Sequence, residues 1–302
     1  MLKQLASMLA VAAPLSAQHA DAGTATGGRV SAAISTVRFA SVRLRTGVQL
    51  HYAEHGDRQG EPLLLLHGLG DSWYSFSGIL PKLPASFRVF AIDQRGHGDS
   101  DRPASGYTMA DLSDDAVAFM DAMGITRATV VGHSMGSFVA QRVALTAPER
   151  VSRLVLVGSA STGASDAVLA LQAEVGGLPA ILPAAFAREF QTSMVSESVS
   201  EQFMERIIGE TEKVPTRVMS AVLDGLIASG DSARLGSIRA PTLVIWGDLD
   251  PVFGRDEQLA LYRSISGTEL MTYEGIGHSP HWEAPDRFVN DLLGFMRRRG
   301  NR

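Results

Sequence analysis

The feature that most constrains the fold of this chain is a serine between two glycines at a sharp change of secondary structure. Residues Gly132 to Gly136 fit the pattern G-x-S-x-G, with Ser134 at the centre. A short apolar strand is predicted over Ala128 to Val131 just before them, and helical spacing follows. Such a strand–turn–helix elbow pushes a nucleophilic hydroxyl out of the sheet, and its glycines avoid clashes with neighbouring backbone. A serine that merely caps the helix is the alternative interpretation.

A serine hydroxyl is a poor nucleophile unless a base removes its proton, so a histidine partner is expected. Of the eight histidines, His278 is the best candidate, because it follows a predicted strand over Leu270 to Tyr273 and a glycine-containing turn. Loops at the carboxyl ends of parallel strands are where such a sheet builds its site. His281 is the competing choice and is expected to support the site from the cap side.

The base needs a carboxylate that holds its tautomer. Asp248 and Asp250 both follow a predicted strand over Thr242 to Trp246. Asp250 lies further into the loop and is the predicted acid, whereas Asp248 suits a turn-forming role. The two aspartates have no histidine ligand nearby in the sequence, so the pattern does not favour a metal site.

Acyl transfer also requires N–H donors aimed at the developing oxyanion. The backbone N–H of Met135, directly after the serine, is one expected donor. The loop after the predicted strand Leu63 to Leu66 supplies the second, with the N–H of Leu69 as the best candidate. His67 in the same loop is expected to brace it and to take no part in chemistry.

Short apolar strands alternate with helical segments along most of the chain, which indicates a mostly parallel, doubly wound α/β sheet. A hairpin is predicted first, with strands over residues 37–45 and 48–55. Further strands are predicted at 62–66, 88–92, 128–131, 153–157, 242–246 and 269–273, and helices at 108–123, 134–147 and 285–298.

The alternation stops between about residues 161 and 237, where apolar residues recur at helical spacing and prolines divide the segment into several helices. An all-helical insertion in an α/β chain is predicted to form a lid over the site. Its apolar residues fit either an apolar substrate pocket or the ordinary core of the lid; they include Phe186, Phe190, Met194, Phe203 and Met219.

The first residues resemble a processing segment. Lys3 precedes a short apolar run from Leu5 to Ala13, and small residues follow, so residues 1–20 are predicted to be a signal peptide. Residues 21–36 are small and polar and are predicted to be a flexible linker, which leaves 37–302 as the folded domain. These features predict a periplasmic or secreted protein, with a cytoplasmic one as the alternative.

Composition excludes several kinds of chemistry. The chain has 302 residues with 45% hydrophobic content, enough for a sizeable core. It has no cysteine, which rules out disulfides and thiolate chemistry, and a net charge of −5 without a basic stripe, which argues against nucleic acid as a partner. The apolar run at the start is too short for a stable membrane span. The oligomeric state is not readable from the sequence.

Five motifs together resemble the α/β-hydrolase family, in particular its small esterase, lactonase and haloperoxidase-like branch. The order Ser134, Asp250, His278 is that of the family. The resemblance covers roughly residues 37–298, and its motifs are His67 to Gly70, Asp93 to Ser100, Gly132 to Gly136, Gly247 to Asp250 and Gly277 to Pro280.

The resemblance implies an eight-stranded, mostly parallel sheet, a helical cap inserted after the sixth strand and catalysis without a cofactor or metal. The expected activity is hydrolysis of a small-molecule ester or lactone through an acyl-enzyme. Because residue 134 is serine, the aspartate-dependent dehalogenases and epoxide hydrolases of this fold are disfavoured. A small-molecule receptor, a carbon–carbon bond hydrolase and a perhydrolase remain as alternatives. The carbon–carbon branch usually has Ser-Gly-Pro-Gly after the His-Gly pair, where this chain has Leu69 to Ser72, and this difference disfavours that branch.

Overall fold

The computed structural model describes residues 37–197 and 199–298. The predicted signal peptide and linker therefore lie outside the described residues. The described part contains an eight-stranded sheet of order β1-β2-β4-β3-β5-β6-β7-β8. Its strands are β1 (Arg38–Arg43), β2 (Gln49–Gly56), β3 (Glu61–Leu66), β4 (Phe87–Ile92), β5 (Ala128–His133), β6 (Val151–Val157), β7 (Thr242–Gly247) and β8 (Glu269–Tyr273).

The sheet is parallel except at β2, which pairs antiparallel with both β1 and β4. Central strands are apolar on both faces, because helices cover both sides of the sheet. In β3, Leu64 and Leu66 belong to one hydrophobic cluster, while Leu63 and Leu65 belong to the other on the opposite face. The predicted fold class, a mostly parallel eight-stranded α/β sheet, is confirmed.

Nine α-helices are present in the described residues, and four of them (α3 to α6) lie between β6 and β7, where the helical cap is predicted. None of the helices in the described segments is long and apolar enough to cross a membrane. The helices are α1 (Met109–Ala122), α2 (Met135–Thr146), α3 (Asp166–Gly176), α4 (Ala184–Ser193), α5 (Glu201–Glu212), α6 (Thr216–Ile227), α7 (Arg255–Ser264), α8 (Pro280–Glu283) and α9 (Pro285–Arg297).

Two helices outside the predicted cap were not predicted from the sequence, α7 and α8, whereas α3 lies inside the segment that was predicted to be helical. Helix α7 buries only two residues, Gln258 and Leu261, and α8 has four residues in all. A helix that is so short, or that has so narrow a buried face, shows little apolar periodicity, which is the signal that sequence analysis depends on.

Candidate active site

Ser134 occupies a strained turn between β5 and α2. Its φ of 49° and ψ of −122° make it the one non-glycine residue with positive φ in the described segments. Such a conformation costs on the order of 1–3 kcal/mol and persists only where its surroundings hold it. The backbone N–H of Ser134 donates to the Val157 carbonyl at 2.9 Å, and its carbonyl accepts from the N–H of Ser137 at 2.8 Å. The elbow is therefore fixed by bonds on both sides of the serine.

The two glycines of the motif are required by packing. A Cβ at position 132 would overlap the carbonyl oxygen of Gly136, and a Cβ at position 136 would overlap that of Leu66. Helix α2 thus crosses β5 and β3 at backbone distance, which fixes where Ser134 stands above the sheet.

His278 lies beside this elbow and is paired with Asp250. Its Nδ1 is 2.8 Å from Asp250 Oδ2, and both side chains are almost completely buried. The other oxygen of Asp250, Oδ1, accepts the backbone N–H groups of Val252 and Phe253 at 2.8 and 3.1 Å. Since a carboxylate only accepts, His278 Nδ1 carries the proton and Nε2 is free to act as a base. Nε2 has no hydrogen-bond partner in the described residues, and His278 and Ser134 line the same cavity.

The competing candidates take other roles. Asp248 Oδ1 accepts the N–H of Gly275 at 2.7 Å, which closes the turn between two loops. His281 Nε2 lies 3.1 Å from Ser75 Oγ, and its ring lies 4.5 Å from that of His133. Burial holds the pKa of His281 well below its usual value. The structure therefore brings His278 and Asp250 to the serine, and not Asp248 and His281.

The two predicted oxyanion donors belong to different segments of the site. Leu69 lines the cavity in the loop after β3, and Met135 is the first residue of α2, where backbone N–H groups have no partner inside the helix. His67 braces the Leu69 loop: its Nε2 accepts the N–H of Gln94 at 3.0 Å, and its Nδ1 donates to the Gly68 carbonyl at 2.8 Å. These bonds tie the loop to the chain after β4.

The cavity is small, with a volume of about 20 Å³. Of the five apolar cap residues singled out from the sequence, Phe190 and Met194 line it. Phe186 stacks on Phe190, and Met219 is part of the main hydrophobic core. Phe203 stacks on Tyr74 instead. The lining consists of Gly68, Leu69, Asp71, His133, Ser134, Phe190, Gln191, Met194, His278, Ser279 and Trp282.

Four polar lining residues were given no role by the sequence analysis: Asp71, His133, Gln191 and Ser279. Asp71 Oδ1 accepts from Gln191 Nε2 at 3.0 Å, which ties the loop after β3 to α4 of the cap. Asp71 directly follows the His67 to Gly70 motif, so its position in the chain could have identified it. Gln191 carries no such signal, since it is one polar residue of an amphipathic helix.

A possible metal-binding group in the described segments lies outside this cavity. His51, Asp93 and Asp99 offer ligand atoms within 4.8 Å of one another. Asp93 already accepts the N–H of Trp73 at 2.6 Å and that of Asp99 at 2.9 Å, and its hydrogen bond with His51 raises the pKa of that histidine. The carboxylate thus holds the turn after β4.

Comparison with known proteins identifies the family. Residues 61–198 match a model described as the alpha/beta hydrolase fold. The chain is 31% identical over 270 residues to a 2-hydroxy-6-oxononadienedioate/2-hydroxy-6-oxononatrienedioate hydrolase of Burkholderia vietnamiensis, covering 84% of this chain and 92% of the relative.

Solved structures give the same result. A hydrolase from Pseudomonas aeruginosa superposes with a TM-score of 0.77 at 27% identity, covering 86% of this chain and 98% of that protein. A meta-cleavage product hydrolase from Pseudomonas fluorescens superposes with a TM-score of 0.73 at 26% identity, covering 85% and 97% respectively.

Proposed function

Because the chain belongs to the α/β-hydrolase fold family, we propose that it is a serine hydrolase that cleaves a carboxylic ester or lactone. The observation that carries this proposal is the bond between Asp250 and His278, with the free Nε2 of His278 in the same cavity as Ser134. The buried carboxylate orients the imidazole and stabilises its protonated form. The imidazole can then remove the proton of the Ser134 hydroxyl and activate it as a nucleophile.

In the first half of the reaction, His278 Nε2 takes the proton of Ser134 as Oγ attacks the substrate carbonyl. The carbonyl oxygen becomes an oxyanion, and the N–H groups of Leu69 and Met135 stabilise it. The tetrahedral intermediate collapses, the alcohol leaves with the proton from His278, and an acyl-serine remains.

In the second half, water attacks the acyl-serine and gives its proton to His278 Nε2. Collapse releases the carboxylic acid and returns the proton to Ser134. Asp250 stays ionised throughout and stabilises the imidazolium that forms twice in each cycle.

The test is hydrolysis of a short-chain aryl ester by Ser134→Ala. A short acyl group suits the small cavity, and we expect the mutation to lower kcat by at least about 10³-fold. Ser237→Ala, at an exposed serine, serves as the matched control and should keep wild-type activity. Activity of Ser134→Ala within tenfold of wild type would refute the proposal.

A second candidate is a carbon–carbon bond hydrolase using the same residues. It is favoured by the names of two similar proteins, the dienedioate hydrolase and the meta-cleavage product hydrolase. The dienedioate carries two carboxylates, so the two candidates differ in the charge of the substrate. This candidate would be selected if 2-hydroxy-6-oxononadienedioate were turned over at a higher kcat/KM than every neutral ester tested.

A further inference from the structure

A buried carboxylate lies inside the proposed site and is not used by the mechanism. Asp71 is only 2% exposed, and it lines the cavity next to Ser134. Its Oδ1 accepts from Gln191 Nε2, and its Oδ2 accepts from Ser75 Oγ at 3.3 Å. None of the described residues that line the cavity is a lysine or an arginine. The carboxylate therefore faces the cavity without a cation in its lining.

His133 presents a second acceptor next to Asp71. Its Nε2 lies 3.1 Å from the carbonyl oxygen of His278, and a carbonyl can only accept, so Nε2 carries the proton. Burial lowers the pKa of His133, so the ring is neutral near pH 7 and its Nδ1 is an acceptor. This Nδ1 has no hydrogen-bond partner in the described residues.

The two acceptors face each other beside the nucleophile. His133 Nδ1 and Asp71 Oδ2 are 3.7 Å apart. A Cβ built on Gly68 would lie 3.0 Å from that Nδ1, 3.2 Å from that Oδ2 and 3.2 Å from Cβ of Ser134. The acceptors and the serine therefore border the same side of Gly68. The unpaired Nδ1 of His133 is costly to bury, and one hydroxyl hydrogen beside the pair would reach both acceptors in a three-centre hydrogen bond.

We propose that Asp71 and His133 form a subsite for a hydrogen-bond donor, which binds a hydroxyl group of the substrate close to the scissile carbonyl and rejects a carboxylate there. The inference rests on the proposed function and specifies its substrate class: hydroxylated, uncharged esters or lactones. A hydroxyl donates to the pair, whereas a carboxylate offers only acceptors and adds a like charge.

The experiment compares three phenyl esters whose acyl chains have four carbons: phenyl butyrate, phenyl 3-hydroxybutyrate as separate enantiomers, and monophenyl succinate. Phenol release gives kcat/KM, and each value is divided by the spontaneous hydrolysis rate of the same ester. For the wild type we expect one hydroxybutyrate enantiomer to exceed butyrate by about 10- to 100-fold, the effect of a hydrogen bond to a charged acceptor. Succinate should fall at least about tenfold below butyrate.

The variant Asp71→Asn keeps the shape of the side chain and removes its charge. We expect the ratio of succinate to butyrate to rise at least about tenfold and the hydroxybutyrate preference to fall. Asp114→Asn removes an equal charge from an exposed position on α1 and should keep the wild-type ratios.

Wild-type ratios near one for all three esters would overturn the subsite while leaving the proposed function intact, and they decide the matter even if Asp71→Asn is not recovered folded. If the subsite binds only a water molecule, the three esters will give these same ratios near one. Ratios in Asp71→Asn equal to those of wild type would overturn the assignment to Asp71. Hydrolysis that does not depend on Ser134 would refute the proposed function, and the subsite with it.

Discussion

Asp250→Asn tests the site through the tautomer of one histidine. Asp250 Oδ1 accepts two backbone N–H groups, from Val252 and Phe253, and Oδ2 receives the Nδ1 proton of His278. An asparagine must keep its carbonyl oxygen toward the two N–H groups, because its amide NH₂ would oppose them. The NH₂ group is then left facing Nδ1 of His278.

An NH₂ group only donates, so it forces Nδ1 of His278 to become the acceptor and moves the ring proton to Nε2. With a proton on Nε2 the ring cannot accept the proton of Ser134. Loss of the correct tautomer in a Ser-His-Asp triad lowers kcat by about 10⁴, which corresponds to about 5 kcal/mol of transition-state stabilisation. We expect a loss of this size with little change in KM, since Asp250 does not line the cavity.

Steady-state hydrolysis of phenyl butyrate measures the effect, and circular dichroism with urea unfolding checks that the variant is folded. Asp248→Asn is the matched control, because this carboxylate accepts the Gly275 N–H, while Nδ1 of His278 bonds to Asp250. It should retain activity within about threefold. A loss below about 100-fold in Asp250→Asn, or a greater loss in Asp248→Asn, would refute the tautomer argument.

Two further predictions concern stability. Gly136→Ala would press a methyl group against the Leu66 carbonyl, so urea unfolding should show a loss of at least about 1–3 kcal/mol. Gly294→Ala in α9, where a Cβ meets nothing within 4 Å, should instead gain up to about 1 kcal/mol; equal small effects would contradict the steric argument. Burial lowers the pKa of His97 from 6.5 to about 3, so below pH 6.5 the unfolded chain binds a proton there that the folded chain does not. This histidine alone therefore lowers the free energy of unfolding by about 1.4 kcal/mol per pH unit between pH 6.5 and about pH 3, and it has no effect on the pH dependence above that window. His97→Gln should flatten the pH dependence of urea unfolding between pH 6.5 and about pH 5, and an unchanged slope would contradict this assignment.

The elbow at Ser134 could be predicted because its determinants are local. Two glycines at fixed spacing and the change from strand to helix lie within a few residues of the serine. His278 and Asp250 are distant in sequence, but each follows the carboxyl end of a predicted strand. In a parallel sheet those ends share one edge, so topology alone brings the loops of β7 and β8 toward β5.

The cap side of the cavity could not be predicted in the same way. The hydrogen bond from Gln191 to Asp71 joins residues 120 positions apart, and it depends on how α4 packs above the sheet. Helical periodicity identifies the buried face of α4 but not its position over the site. Phe190 lines the cavity, whereas Phe186 and Met219 belong to the hydrophobic core. The same packing decides this difference, because all three residues are apolar in the sequence.

The choice between ester and carbon–carbon hydrolysis therefore depends on the cavity rather than on the fold. Sheet, elbow and histidine are features that both activities use, so a similar name on a 31% identical relative does not separate them. The described lining of this cavity places a carboxylate, Asp71, beside Ser134. A dioate substrate would bring two more carboxylates to the same site. Like charges at close range disfavour each other's ionised form. An uncharged ester avoids that repulsion, so the wild-type enzyme should give a higher kcat/KM for phenyl 3-hydroxybutyrate than for 2-hydroxy-6-oxononadienedioate when both are measured at the same pH and salt. The reverse order would mean that the charge of Asp71 does not govern substrate choice, and it would select the carbon–carbon hydrolase.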